Sequence, residues 1–243
     1  MNSKSSRILI VEDEKAIADG LEFNFQEDGF ETLVRGDGPS AIEAFDEQGP
    51  WSLVVLDLML PGMSGYEICK EIRKRNTTIP VMVLSARETS LDKAHAFDCG
   101  ASQYVTKPFD LQEVLSRVRN LVKSYNMQSG NEELPTTPCR FEFDNIIVDV
   151  DQFQVEVNGE VNTLTTMEMQ LLKYFLLNDG KVLSRGQIME NVWDQSAVLS
   201  TRSIDNFVMR LRRILEPDAS SPRYIRSVRG TGYRFVKNPG NAP

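Results

Sequence analysis

The first 125 residues alternate between two hydrophobic periods five times over, and that alternation limits the fold more than any other feature of the chain. Short β-rich runs, ILIVE, TLV, LVVLD, VMVLS and YVTK, are followed in turn by EKAIADGLEFNFQ, SAIEAFDEQ, YEICKEIRKR, LDKAHAFDCG and LQEVLSRVRNLVKSY, each with helical spacing. In the last of these, Leu111, Val114, Leu115, Val118, Leu121, Val122 and Tyr125 share one face, and Asp110 with Glu113 is spaced as an N-terminal capping pair. Five β/α repeats predict an α/β domain with a doubly wound, five-stranded parallel sheet of flavodoxin-like type.

Such a sheet explains an oddity in VVLDLMLPG, where Asp57 interrupts an apolar run. A buried carboxylate without partners is costly. In open α/β sheets, however, sites form in the crevice beyond the carboxyl ends of the strands. Glu12 and Asp13, Asp57, Ser85 and Lys107 fall at the ends of the first, third, fourth and fifth strands. Carboxylates this close repel one another unless a cation joins them. Glu12, Asp13, Asp57 and the backbone carbonyl of Met59 form an all-oxygen set suited to Mg2+. Lys107 and Ser85 are placed to contact phosphoryl oxygens, and Asp57 to act as a nucleophile that forms an acyl phosphate. Singly, a strand-end carboxylate meets solvent and Lys107 is a loop lysine. The combination on four strand ends is what points to phosphoryl chemistry.

Residues 124–139, SYNMQSGNEELPTTPC, are polar, contain Gly and two prolines, and read as a flexible linker between a domain at 1–123 and a second at 140–238. Beyond it come FEF, IIVDVD and QVEVNGEV, with Asn158-Gly159 as a hairpin turn. Three helices follow. Thr165 with Glu168 opens TMEMQLLKYFLLND, Ser184 with Gln187 opens RGQIMENVW, and Thr201 precedes RSIDNFVMRLRRIL. In the third helix Ile204, Val208, Leu211 and Leu215 form the core stripe, leaving Arg202, Ser203, Asn206, Arg210 and Arg213 outside, a face suited to base edges and phosphates. RYIRSVRGTGYRFV then reads as a hairpin with Arg229 at its tip.

Charge supports this division. Residues 1–123 carry 14 Lys and Arg against 20 Asp and Glu, and 141–199 carry 3 against 10, whereas 200–243 carry 9 against 3. A basic patch at one end of an acidic chain of net charge −8 fits a specific polyanion site. The three cysteines, Cys69, Cys99 and Cys139, lack metal-ligand spacing and read as reduced thiols. No apolar run reaches the roughly 18 residues of a membrane span, and the N-terminus lacks a signal-peptide core, so a soluble cytoplasmic protein is expected.

The runs ILIVEDE, VVLDLMLPGMSG, VLSA and YVTKPF resemble the receiver domain of bacterial two-component response regulators over residues 6–123. From about Phe141 to Val236 the chain resembles the winged-helix effector domain of the OmpR/PhoB family, with RGTGYRF as the most specific run. This resemblance implies that Glu12 and Asp13 bind Mg2+, that Asp57 accepts phosphate from a sensor histidine kinase, and that Ser85 and Lys107 contact the phosphoryl group. Ser85 and Tyr104 would form the switch. Ser203, Asn206 and Arg210 would read bases, Arg202 and Arg212 would hold phosphates, Arg229 would enter the minor groove, and Thr231 would also contact the DNA. Phosphorylation would promote a homodimer through Lys93, Asp98, Glu113, Arg117 and Arg119, pairing Lys93 with Glu113 and Asp98 with Arg119. Two departures stand out. Ser102 and Gln103 replace acidic positions, leaving Arg117 without its usual carboxylate. Met209 replaces a frequent Arg, removing one phosphate contact. His95, the only histidine, matches no catalytic position and is expected at the surface.

The resemblance implies a transcription regulator that binds double-stranded DNA and acts on RNA polymerase, with no enzymatic activity beyond self-phosphorylation and autodephosphorylation at Asp57. A Mg2+-dependent phosphotransferase or phosphatase would need an acid/base group beside Asp57 that the sequence does not supply. A constitutive DNA-binding protein with a vestigial receiver would not need Asp13, Asp57 and Lys107 together.

Overall fold

The computed structural model describes residues 6–128, 140–192 and 201–239, the side chains of 127, 128 and 201–203 excepted. The chain divides into two compact units, Met1–Met127 and Gln128–Pro243. Among the described residues no helix is long and apolar enough to cross a membrane.

The first unit carries five strands, β1 (Arg7–Val11), β2 (Glu31–Arg35), β3 (Leu53–Asp57), β4 (Val81–Ser85) and β5 (Gln103–Thr106). They alternate with α1 (Lys15–Glu27), α2 (Gly38–Glu47), α3 (Gly65–Arg75), α4 (Ser90–Asp98) and α5 (Leu111–Gln128). All strands run parallel in the order β2-β1-β3-β4-β5. Every residue of β3 and β4 is buried, as expected for strands covered by helices on both faces. The strand order reverses between β1 and β3, so Glu12, Asp13 and Asp57 gather at the switch point of the sheet.

Side-chain caps set the helix starts close to that edge. Asp37 accepts from the Ser40 N–H ahead of α2, Ser64 and Glu67 form a complete capping box on α3, and Thr89 accepts from the Asp92 N–H at α4. At α5 Asp110 accepts from the N–H groups of Gln112 and Glu113, but the Glu113 side chain turns to Arg117 instead of closing the box. Helix α5 runs to Gln128, past the start of the stretch read as linker. Tyr125 continues its apolar face and packs on the core, and Asn126 donates to the Ser6 hydroxyl at 2.9 Å. The rest of that stretch lies outside the described residues.

The second unit opens with an antiparallel sheet of β6 (Arg140–Phe143), β7 (Ile146–Asp149), β8 (Gln154–Val157) and β9 (Glu160–Thr163). Asn158 and Gly159, at φ 52° and 88°, form the hairpin turn between the last two. Then come α6 (Thr166–Leu177), β10 (Val182–Ser184), α7 (Arg185–Val192), α8 (Thr201–Leu215) and the hairpin β11 (Ile225–Val228) and β12 (Gly232–Phe235). Strand β10 was not expected, because three residues are too few to show a period; it pairs with β12 and makes that hairpin a three-stranded sheet. Both predicted capping pairs are present, Thr165 with Glu168 and Ser184 with Gln187.

Close packing of α3 beneath the Asp57 strand end requires Gly65. A Cβ there would lie 2.2 Å from the Asp57 carbonyl oxygen and 2.6 Å from the Leu58 Cα, both backbone atoms. Gly65→Ala should therefore lower the unfolding free energy by about 1–3 kcal/mol in a urea titration, as overpacking does. Gly20→Ala, inside α1 with nothing within 4 Å of its Cβ, should raise it by about 0.5–1 kcal/mol.

Candidate functional site

Three carboxylates meet at the carboxyl edge of the parallel sheet. One oxygen from each of Glu12, Asp13 and Asp57 lies within 4.8 Å of the others. Glu12 and Asp57 are buried while Asp13 is exposed, so the cluster opens to solvent on one side. Asp57 is only 5% exposed, and its two oxygens have separate partners. Oδ1 accepts from the Met59 N–H at 2.9 Å, and Oδ2 from Lys107 Nζ at 2.6 Å. The same Nζ donates to both oxygens of Glu12, at 2.9 and 2.7 Å. Loop geometry thus turns the Met59 side chain outward and its N–H onto Asp57.

Electrostatics follow from this crowding. Burial, together with the charge of Asp57, pushes the Glu12 carboxyl above its ordinary range against the opposing pull of Lys107. Burial disfavours the Lys107 ammonium, but hydrogen bonds and charge from Asp57 and Glu12 outweigh it and raise its pKa. One lysine therefore balances two buried carboxylates, with Asp13 beyond them adding negative charge. An all-carboxylate donor set of this kind fits a hard divalent cation such as Mg2+ in its chemistry.

Ser85 is fully buried at the end of β4, and its hydroxyl accepts from the Arg87 N–H at 3.3 Å. Tyr104 faces inward from β5. Its hydroxyl donates to the Arg87 carbonyl at 2.6 Å and meets the Ser85 hydroxyl, and burial pushes its pKa up to about 12. Sequence reasoning missed the network around this loop. Arg87 pairs with Asp92 at 3.3 Å, the Tyr66 hydroxyl reaches Asp92, and Tyr66 stacks on His95 with ring centroids 4.4 Å apart. His95 is exposed, as expected.

Of the expected dimer residues, Lys93, Glu113, Arg117 and Arg119 are engaged within the chain. Lys93 lies over the Tyr104 ring, Arg119 pairs with Asp28 at 2.6 Å, and Asp98 is exposed. Arg117 requires a correction. It is buried, and it has a carboxylate: Glu113 Oε1 at 2.5 Å, one turn away on α5, with Gln103 Oε1 at 2.6 Å. The i,i+4 spacing supplies within the helix what the substituted positions do not.

In the second unit α8 buries Ile204, Phe207, Val208, Leu211 and Leu215. Arg212 also faces inward, a second correction. Its guanidinium donates to the Ile225 carbonyl at 2.9 and 2.7 Å and to the Ser227 hydroxyl at 2.9 Å, four residues after core Val208 and so on the buried side. It pins the hairpin to the helix and is not placed to hold a phosphate. Arg210 is also engaged, pairing with buried Glu168 of α6 at 2.8 Å. Asn206 is half-buried, while Arg213, Arg229 and Thr231 are exposed, the last two in the turn between β11 and β12. The side chains of Arg202 and Ser203 lie outside the described residues. A network absent from the sequence reading joins the helices to the hairpin: the Tyr233 hydroxyl and Arg185 Nε both donate to Asp205 Oδ1, at 2.5 and 2.9 Å.

A carboxylate site on a 2-1-3-4-5 sheet, followed by a helix and hairpin carrying arginines, defines a receiver joined to a nucleic-acid-binding effector. Residues 8–119 match the response regulator receiver domain, and residues 159–235 match the C-terminal domain of transcriptional regulatory proteins. The sensory transduction protein RegX3 of Mycolicibacterium smegmatis is 40% identical over 228 residues, covering 94% of this chain and 98% of that one. RegX3 of Mycobacterium tuberculosis matches with the same identity and coverage. A point mutant of RitR shares the fold, with a TM-score of 0.73 at 23% identity over 96% of this chain and 100% of its own. The chain belongs to the OmpR/PhoB-type response regulators of two-component systems, with a receiver and a DNA-binding domain.

The burial of Arg212 separates two adjacent arginines experimentally. Arg212→Ala should cost about 1–3 kcal/mol of stability, because the Ile225 carbonyl and Ser227 lose their donor. Arg213→Ala should change stability by no more than about 0.5 kcal/mol. It should instead reduce the dependence of DNA affinity on salt by about one unit of slope if Arg213 meets a phosphate. Denaturant unfolding and a salt titration of DNA binding measure the two.

Proposed function

We propose that Asp57 accepts a phosphoryl group from a sensor histidine kinase with Mg2+, and that this promotes receiver dimerisation and promoter binding by the second unit. The observation that carries the reading is the Lys107 ammonium held 2.6 Å from Asp57 beside the carboxylates of Glu12 and Asp13. Glu12, Asp13, Asp57 and the Met59 carbonyl would hold Mg2+, which when bound neutralises the carboxylates and the incoming phosphoryl oxygens. One Asp57 oxygen attacks phosphorus as the P–N bond of a phosphohistidine breaks, and the electron pair returns to the imidazole nitrogen, leaving an acyl phosphate. Lys107 Nζ already contacts three carboxylate oxygens, so turning it to a phosphoryl oxygen means loosening its hold on Glu12 or Asp57. Ser85 offers its hydroxyl to another phosphoryl oxygen, and the Tyr104 contact transmits that change to the loop at Arg87.

On DNA, Ser203 and Asn206 would meet base edges, Arg202 phosphates, and Arg229 with Thr231 the neighbouring groove. Arg210 would first have to exchange its Glu168 partner. This reading places the protein in the cytoplasm, with DNA and RNA polymerase as its further partners.

A small phosphodonor with Mg2+ should add one phosphoryl mass to the native chain and none to Asp57→Asn, read by intact mass spectrometry. Equal labelling of the mutant would overturn the assignment.

The dimer should respond to the contacts that now hold Arg119. Exposed pairs contribute about 0–1 kcal/mol each. Releasing Arg119 with Asp28→Asn should therefore tighten the phosphorylated dimer by up to about five-fold in Kd. Sedimentation of both forms, with and without phosphodonor, tests it; tightening without phosphodonor would place the effect outside the switched interface.

A further inference from the structure

The recognition face of α8 carries an apolar residue that core packing does not explain. Met209 is 38% exposed, whereas Ile204, Phe207, Val208, Leu211 and Leu215 of the same helix are all buried. Spacings of three and four place Met209 between Asn206 and exposed Arg213 on the outward side. Its sulfur is anchored, with Arg212 Nη1 3.8 Å from Met209 Sδ. That arginine is itself fixed on the Ile225 carbonyl and the Ser227 hydroxyl. The thioether is thus held at a defined place on a face otherwise made of hydrogen-bonding groups.

We propose that Met209 reads the C5 methyl group of a pyrimidine in the major groove, and so selects a thymine at one position of the DNA site. The inference rests on the DNA-binding role of α8. A thioether gains nothing from a phosphate, and packing it against a donor or acceptor on a base edge would leave that group unsatisfied. The one apolar group the major groove offers is the thymine methyl. Packing there buries apolar surface on both sides, so the discrimination comes from Met209 itself and not from the charges beside it. Methylated cytosine presents the same group, and the experiment separates the two sources.

Bound duplexes are selected from a random pool with the full-length protein. In the enriched site each thymine is then replaced singly by uracil, which removes only the methyl. The native protein should lose about four-fold in affinity at one thymine per half-site, the worth of one buried methyl group. Met209→Ala should bind the thymine and uracil duplexes equally at that position, and Met209→Leu should keep the penalty. With cytosine at the same position, 5-methylation should recover about the same factor. If the response to methylcytosine appears only at positions where thymine is not selected, the proposed source is wrong. Uracil penalties that are the same in the native protein and in Met209→Ala overturn the inference. So does a loss in Met209→Ala that is equal on every sequence. Failure of the pool to enrich any sequence overturns the DNA-binding reading itself, and this inference with it.

Discussion

Lys107 is the contact on which the receiver depends. Two carboxylates, from strands that are neighbours in the sheet but far apart in sequence, are buried at one edge, and a single ammonium bridges them, offsetting one of their two charges. Removing one partner of such an arrangement leaves a buried charge uncompensated, which costs far more than an exposed pair contributes. The rest of the unit is organised to hold that geometry. The fully buried strands β3 and β4 fix where Asp57 and Ser85 emerge, and the reversal in strand order opens the crevice between β1 and β3. The absence of a side chain at residue 65 lets α3 start directly under the Asp57 carbonyl. A crowded set of like charges at a rigid edge is poised to accept a cation, and it is also sensitive to any added negative group.

A comparable constraint governs the second unit at the end of α8. Glu216 accepts from the backbone N–H groups of Arg223, Tyr224 and Ile225 at 2.6 to 3.1 Å, while Arg212 donates to the Ile225 carbonyl from one turn earlier. Helix and hairpin are therefore joined through backbone groups, which tolerate little displacement. Asp205 makes a second junction by taking the Tyr233 hydroxyl and Arg185. Burial and the Asp205 hydrogen bond together push the Tyr233 pKa up to about 12, so that hydroxyl remains a donor across the physiological range. Two groups that would contact DNA, on α8 and at the hairpin tip, are thereby carried by one rigid frame.

Much of this was legible in the sequence because period and caps are local. The five β/α repeats, the hairpin at Asn158-Gly159 and the capping pairs at Thr165 and Ser184 depend on residues a few positions apart. The carboxylate edge was legible for a different reason: strand ends in a parallel sheet must lie on one side, so position in the repeat places the side chain. What escaped was pairing across elements. Arg212 and Arg213 are adjacent and chemically identical, yet one is a buried clip and the other exposed: Arg212 falls four residues after core Val208, and β11 supplies the acceptors that hold it there. Arg117 was expected on a dimer face without its usual carboxylate, whereas it is buried and pairs with Glu113, four residues earlier on its own helix. Strand β10 exists because β12 offers it an edge, a fact with no trace in three residues.

The distribution of charge adds a condition on how such a protein can find DNA. Net charge −8 opposes approach to a polyanion, and the acidic stretch 141–199 lies in the same unit as the basic residues of 200–243. Only orientations that bring α8 and the hairpin forward are favoured, and with Arg212 committed to the fold and Arg210 to Glu168 fewer cations are available on that side than the sequence count implies. Counterion release scales with phosphates neutralised, so committing those two arginines to the fold lowers the sequence-independent contribution below what the charge count implies. In the proposed function, residence on a promoter would then have to come more from base-specific contacts and from doubling the site through a dimer. That requirement is what would make a phosphorylation-dependent dimer an effective switch here: a single copy would bind too weakly to act, and a pair, each member contributing the same few contacts, would not.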